Sequence, residues 1–287
     1  MNPAFNAALW MLGAIFSFTM MAIAGRELAS DFDTFEIMMW RSAFGLVIVL
    51  LVATVTGTRR QIGRGKLGTH FIRNVFHFTG QNLWFYAVTA VPLAQVFALE
   101  FTTPLWVIVL SVFLLGERLT LIRGTSALMG FVGILIVARP DMAGLNGGIV
   151  AAATCAVFFA LTYVFTKRLT RTETITAIMF YLTFFQLIFG IIMAGYDGDI
   201  AVPTTPDLPW LMVVGICGLL AHFCITKALS LAPAAVVAPI DFARLPIVAV
   251  VAMLVYNEAL DLWVFVGAAI IFAGNYLNIW SETRKAA

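Results

Sequence analysis

Charge is what this chain has least of. Only 11% of its 287 residues are Asp, Glu, Lys or Arg, against 62% hydrophobic. A soluble globule could not clothe its surface with so few polar groups, so a water-soluble fold is excluded. Cysteine is nearly absent as well. Cys155, Cys217 and Cys224 all lie inside apolar runs, which excludes a disulfide framework and any Cys-based metal spacing. His70, His77 and His222 are too scattered along the chain to suggest a metal site. There is no Walker-type glycine loop: Gly63-Arg64-Gly65-Lys66 lacks the spacing and the following Ser or Thr. An ATP-driven pump would therefore need a separate subunit, and no cofactor is expected. No convergent nucleophile, base or metal cluster speaks for an enzyme, and no repeated selectivity segment speaks for a channel.

What is present is apolar length. Ten runs recur, each long enough to cross a hydrocarbon core of about 30 Å as a helix. The first five span Asn6 to Gly25, Phe35 to Thr56, Phe71 to Val91, Ala94 to Leu115 and Ile122 to Arg139. The second five span Gly147 to Thr166, Thr174 to Gly195, Leu208 to Ser230, Ala234 to Tyr256 and Leu260 to Ser281. Strands of a barrel would alternate polar with apolar residues, whereas these runs are continuous. The first run has no cationic leader and reads as structure, not as a cleaved signal. An all-α integral membrane protein of ten transmembrane helices is expected, its solvent the lipid bilayer.

The second half repeats the first at a constant offset of 141 residues. Pro92 falls on Pro233, Glu100 on Asp241, Phe101 on Phe242, Glu117 on Glu258, Leu119 on Leu260 and Gly133 on Gly274. Acids and prolines are scarce here, so their coincidence marks two tandem units, 1–141 and 142–287. Five spans per unit is an odd number, so the second unit enters the membrane upside down. Such inverted five-helix repeats place substrate near the midplane and alternate access by rocking one half against the other. With the N-terminus in the cytoplasm, thirteen basic residues face inward and only Arg26 and Arg139 outward, as the positive-inside rule requires. Both termini are then cytoplasmic. The basic stretch from Gly57 to His70 reads as an orientation signal near anionic headgroups, not as a nucleic-acid patch.

Polar residues at membrane depth are costly and face a partner or a cavity. Four are charged: Arg41, Glu100, Asp241 and Arg244. Asp241 and Arg244 share a helical face and can pair locally, and Arg41 and Glu100 can pair across helices. Two readings stand, ion pairs that staple the bundle, or groups that bind substrate and couple protons. The third run carries Asn74, His77, Gln81 and Trp84 on one face, flanked by Asn82 and Tyr86. A hydrogen-bonding stripe is wasteful against lipid, so it should face inward. Trp40, Trp84, Tyr86 and Tyr163 are candidate cavity walls for stacking on an aromatic or cationic substrate. Pro104, Pro239 and Pro246 are expected to bend the fourth and ninth helices beside the acids.

Near the end of each fourth helix equivalent stands a glutamate: Gly116-Glu117-Arg118-Leu119-Thr120, then Ser126 and Gly133; and Asn257-Glu258, then Gly267 and Gly274. This pattern resembles the signature of the EamA-type drug/metabolite transporter superfamily, with Ser126 and Asn257 standing where glycines are usual. The resemblance covers nearly the whole chain and includes Arg41. It implies a secondary transporter of the bacterial inner membrane that exports small amphipathic metabolites. Within the superfamily the chain looks most like the YddG-type aromatic amino-acid exporters, which implies aromatic amino acids as favoured substrates. An uptake carrier or exchanger for another metabolite or drug-like compound is the alternative. In this resemblance Glu117 and Glu258 mark helix ends and are structural.

Overall fold

The computed structural model describes residues 3–28, 31–90, 96, 99–138, 146–196, 198–256 and 262–285. Among these the regular structure is helical throughout. The first half holds α1 (Pro3–Leu28), α2 (Thr34–Val55), α3 (Leu67–Ala90), α4 (Thr103–Leu115) and α5 (Leu121–Ala138). The second holds α6 (Gly147–Leu169), α7 (Ile175–Ala194), α8 (Asp207–Leu231), α9 (Ala234–Val237), α10 (Arg244–Tyr256) and α11 (Leu262–Lys285). A 3-10 segment, Ala238–Ala243, joins α9 to α10. Five described helices (α1, α2, α6, α7 and α8) are long and apolar enough to span a membrane by length and composition. α3 is long but diluted by Arg73, Asn74, His77, Gln81 and Asn82. Pro92, Arg139, Asp141, Asp197, Asn257, Glu258, Leu260 and Asp261 lie outside the described residues, and with them the ends of several runs read from the sequence.

Helix starts follow their capping chemistry. Asp33 and Glu36 form a reciprocal capping box on α2, Asn146 accepts from Ile149 N–H on α6, and Thr174 accepts from Ala177 N–H on α7. Glu36 also accepts the Ala201 N–H, and Trp40 Nε1 donates to the Ala201 carbonyl at 3.1 Å. Those two bonds tie the start of α2 to the segment before α8.

The packing of the helices is itself two-fold. α1 lies against α8, and their counterparts α6 and α3 lie against each other. α2 packs on its own counterpart α7, and α5 on its counterpart α11. α4 leans on α6 as α9, the 3-10 segment and α10 lean on α1. Exchanging each helix for its mate 141 residues away maps these principal contacts onto one another, as a pseudo-two-fold relation between the repeats would.

The fourth and ninth runs are not continuous helices bent by proline. In the fourth the backbone turns at Phe101–Thr102 and α4 starts afresh, with Pro104 in its first turn. In the ninth the chain passes from α9 through the 3-10 segment, with Pro239 at its start, into α10, with Pro246 in its first turn. A proline ring clashes with the carbonyl four residues earlier, which is Glu100 for Pro104 and Phe242 for Pro246. The α-helix is therefore interrupted around the acid–phenylalanine pair and restarts one or two residues before the proline. Phe101 and Phe242, mates in the repeat, are both buried in one core with Ile15, Ile134, Leu245 and Ile271. Gly130 on α5 makes this possible: a Cβ there would stand 2.1 Å from the Phe242 ring.

One end of the bundle is laced shut. Glu117 accepts from the N–H groups of Ala234 and Ala235, 2.9 and 3.2 Å away, capping α9. Lys167 Nζ donates to the carbonyls of Leu229 and Ala232 at the end of α8, and Arg171 donates to the Leu115 carbonyl that ends α4. Above these ties lies the largest core, from Met11, Val107, Val164, Ile225 and Val237 among others.

Candidate functional site

The two helix breaks bring their acids together around one arginine. Arg244 Nη2 lies 2.7 Å from Glu100 Oε1 and 3.2 Å from Asp241 Oδ2. The Glu100 Oε2 accepts from Trp84 Nε1 at 2.6 Å. The Arg244 guanidinium stands 5.4 Å from the Phe18 ring centroid and 4.9 Å from that of Phe101, within cation–π range. Tyr163 is within electrostatic reach of all three charges. Two carboxylates against one guanidinium leave a net charge of −1. Asp241 Oδ1 and Arg244 Nε have no hydrogen-bond partner, an expensive omission in a buried site that a ligand would remedy.

Of the residues singled out from sequence, this cluster gathers Trp84, Glu100, Asp241 and Arg244, with Tyr163 close by. Glu100 does not pair with Arg41: Arg244 takes that place, because the break at Phe101 turns Glu100 toward the ninth span. Arg41 instead crosses Gly218 on α8, where a Cβ would lie 3.0 Å from its Cδ, and meets Met21 Sδ at 3.9 Å. Trp40 is outside the cluster, held by Ala201 and packed beside Phe44. Tyr86 is 56% exposed, with its hydroxyl beside Gly147. Gln81 is buried with Oε1 unpartnered.

A second polar group lies across Phe18, whose ring is 5.9 Å from that of His222. His222 meets His77 edge to face at 4.6 Å. Arg73, read from sequence as a residue of the charged face, is in fact fully buried: Nε donates to Thr166 Oγ1 at 3.0 Å and Nη1 to Asn74 Oδ1 at 3.1 Å. Asn74 in turn donates to the carbonyls of His70 and Tyr181 and accepts from Gln186. Phe18, Phe101, Arg73, Gln186 and His222 were not among the sequence candidates. His222 carried one usable signal, since it is the repeat mate of Gln81.

The sequence matches the EamA-like transporter family over residues 5–139 and again over 146–280. With both repeats matched, the chain belongs to that family: it is a membrane-embedded small-molecule transporter. It is 26% identical over 275 residues to an S-adenosylmethionine uptake transporter of Rickettsia bellii, covering 96% of this chain and 94% of that protein. It is 27% identical to a riboflavin transporter of Vibrio cholerae, covering 98% and 95%. A riboflavin transporter of Brucella anthropi is 31% identical, with 83% and 85% covered. A solved crystal structure superposes with a TM-score of 0.81 over 98% of this chain and 99% of that one, at 18% identity; that likeness concerns the fold. These relatives are not the aromatic amino-acid exporters that the sequence resembled, and export finds no support among them.

Proposed function

We propose that this transporter is an uptake carrier for a metabolite that joins an amino-acid head to a nitrogen heterocycle, with S-adenosylmethionine the best-matched member of that class. The observation that carries the reading is the Glu100–Arg244–Asp241 cluster, net −1 and walled by Trp84, Phe18 and Phe101. A sulfonium or ammonium cation suits unsatisfied carboxylate oxygen, and a purine suits the rings, where stacking is worth about 0.5–1.5 kcal/mol. Riboflavin shares the fused heterocycle but, being uncharged at neutral pH, leaves the site's negative charge unmatched. Outward movement of aromatic amino acids uses the same ammonium and ring chemistry and is the second reading, supported by the Trp84–Glu100 pair. Transport is taken to proceed by alternating access between inverted repeats 1–141 and 142–287. The end laced by Glu117, Lys167 and Arg171 then opens as the opposite end closes, with both termini in the cytoplasm.

Proteoliposomes supplied with labelled S-adenosylmethionine, riboflavin or phenylalanine separate these readings. Saturable S-adenosylmethionine flux, weakened by Trp84→Ala, is expected. Flux of riboflavin or phenylalanine with none of S-adenosylmethionine would sink the substrate assignment and leave the family standing.

A further inference from the structure

Two guanidiniums are buried in this bundle without a carboxylate. Arg41 is 7% exposed and Arg73 2%. Among the described residues no acid lies within 4.0 Å of either. Glu173, the acid on the adjoining turn, lies nearer to His70, 4.0 Å from its Nε2. Arg73 reaches the same region through Asn74, whose Oδ1 accepts from both Arg73 Nη1 and Gln186 Nε2. Neither ring nitrogen of His77 has a hydrogen-bond partner, nor has His222 Nε2. Next to them lies a cavity of about 10 Å³ whose wall includes Arg41, Ser42, Thr183, Gln186 and His222.

The hydroxyls of Ser42 and Thr183 already donate to the carbonyls of Met38 and Met179. On the cavity wall Arg41 and His222 therefore supply the free donors, beside one unpartnered acceptor, Gln186 Oε1. A cavity of this size takes about one water-sized occupant. Water would satisfy a donor but would leave the buried Arg41 charge on the cavity wall uncompensated, and burying a charge unpaired is costly. We propose that the cavity between α2, α7 and α8 is an anion site holding one small monovalent anion of halide size. It stands apart from the Glu100 cluster, with Phe18 between them, and does not depend on the substrate proposed above.

The test is thermal unfolding of the purified full-length protein in detergent, in gluconate buffer of fixed ionic strength. It is titrated separately with sodium chloride and sodium formate, the smallest carboxylate. A ligand that binds only the folded state raises the melting temperature in a saturable manner. A rise with chloride is expected; a rise with formate alone, an anion too large for a space of this size, overturns the proposal. In Arg41→Gln the half-saturating concentration should increase at least about tenfold, the loss expected when one charged partner is removed. His222→Phe keeps the ring packed on Phe18 and removes the donor; it makes the same comparison should Arg41→Gln not fold. No response to either anion in the wild type, or a response unchanged in the variants, overturns the proposal.

Discussion

Neutralising Glu100 separates a transport site from a staple. In Glu100→Gln the new amide oxygen can still accept from Trp84, and Arg244 keeps Asp241 at 3.2 Å. No charge is orphaned, so the protein should fold. The cluster goes from −1 to neutral, and a substrate cation loses the field that recruits it. Two unit charges about 4 Å apart at an effective dielectric of 20 attract by about 4 kcal/mol. Because water reaches the cluster (Arg244 is 17% exposed at its side chain), the scale of a charged hydrogen bond, about 1.5–3 kcal/mol, is the better guide. That corresponds to a rise in KM of about 10- to 150-fold, with monodisperse protein retained.

Arg244→Met is the contrasting perturbation. It leaves Glu100 and Asp241 facing each other without a cation, at a cost of about 3–5 kcal/mol, and membrane-inserted protein should fall sharply. The double variant Glu100→Gln/Arg244→Met removes that repulsion, and the lone Asp241 carboxyl can neutralise by taking up a proton, so protein should recover without recovering flux. Flux in proteoliposomes, normalised to folded protein by size-exclusion chromatography, is the assay. Unchanged flux in Glu100→Gln, or restored flux in the double variant, would refute the transport role and leave the ion pairs as staples.

Three further outcomes test the scaffold. Gly130→Ala drives a Cβ to 2.1 Å from Phe242 and should destabilise by about 1–3 kcal/mol, read as a lower melting temperature. Gly124→Ala, where nothing lies within 4 Å, is the control and should be neutral or stabilising by up to about 1 kcal/mol. Glu117→Ala uncaps α9 and should cost about 0.5–2 kcal/mol, with Glu117→Gln intermediate in the same melting assay. A cysteine introduced after Thr58 should resist an impermeant thiol reagent added to intact cells, while one near Asp199 should label; labelling at Thr58 would reverse the proposed orientation.

The helices and their duplication were legible because membrane physics writes them in long runs and the repeat writes scarce acids and prolines twice. The acids of the site were legible for the same reason, since Glu100 and Asp241 are mates. The consequence of the prolines was not. Pro104 and Pro246 mark breaks rather than bends, and only the breaks decide that Glu100 turns to Arg244 and away from Arg41. Trp40 and Trp84 look alike in sequence, each an aromatic near a polar neighbour. Packing alone separates them, one bonded to the Ala201 carbonyl and the other to Glu100. Arg73 was hidden by position: it falls at the start of a run, among residues whose charge suits a membrane face, and is nonetheless buried against Thr166.

The two repeats divide the work unequally. The acids of the cluster occur in both copies, but Arg244, Arg41 and Arg73 each belong to one copy alone: Thr103 stands where Arg244 has its mate, Leu182 where Arg41 has its own, and Val214 where Arg73 has its own. His77 is matched by Gly218, the residue over which Arg41 lies. A side chain at 218 would occupy the path of Arg41, so the glycine in the second copy is what admits the first copy's charge. Duplication thus supplies a symmetric frame with paired acids and paired helix breaks. Divergence then places a net negative cluster and a pair of uncompensated arginines on opposite sides of Phe18. A bipolar molecule meets opposite fields at its two ends in such a frame, which symmetric copies alone would not provide.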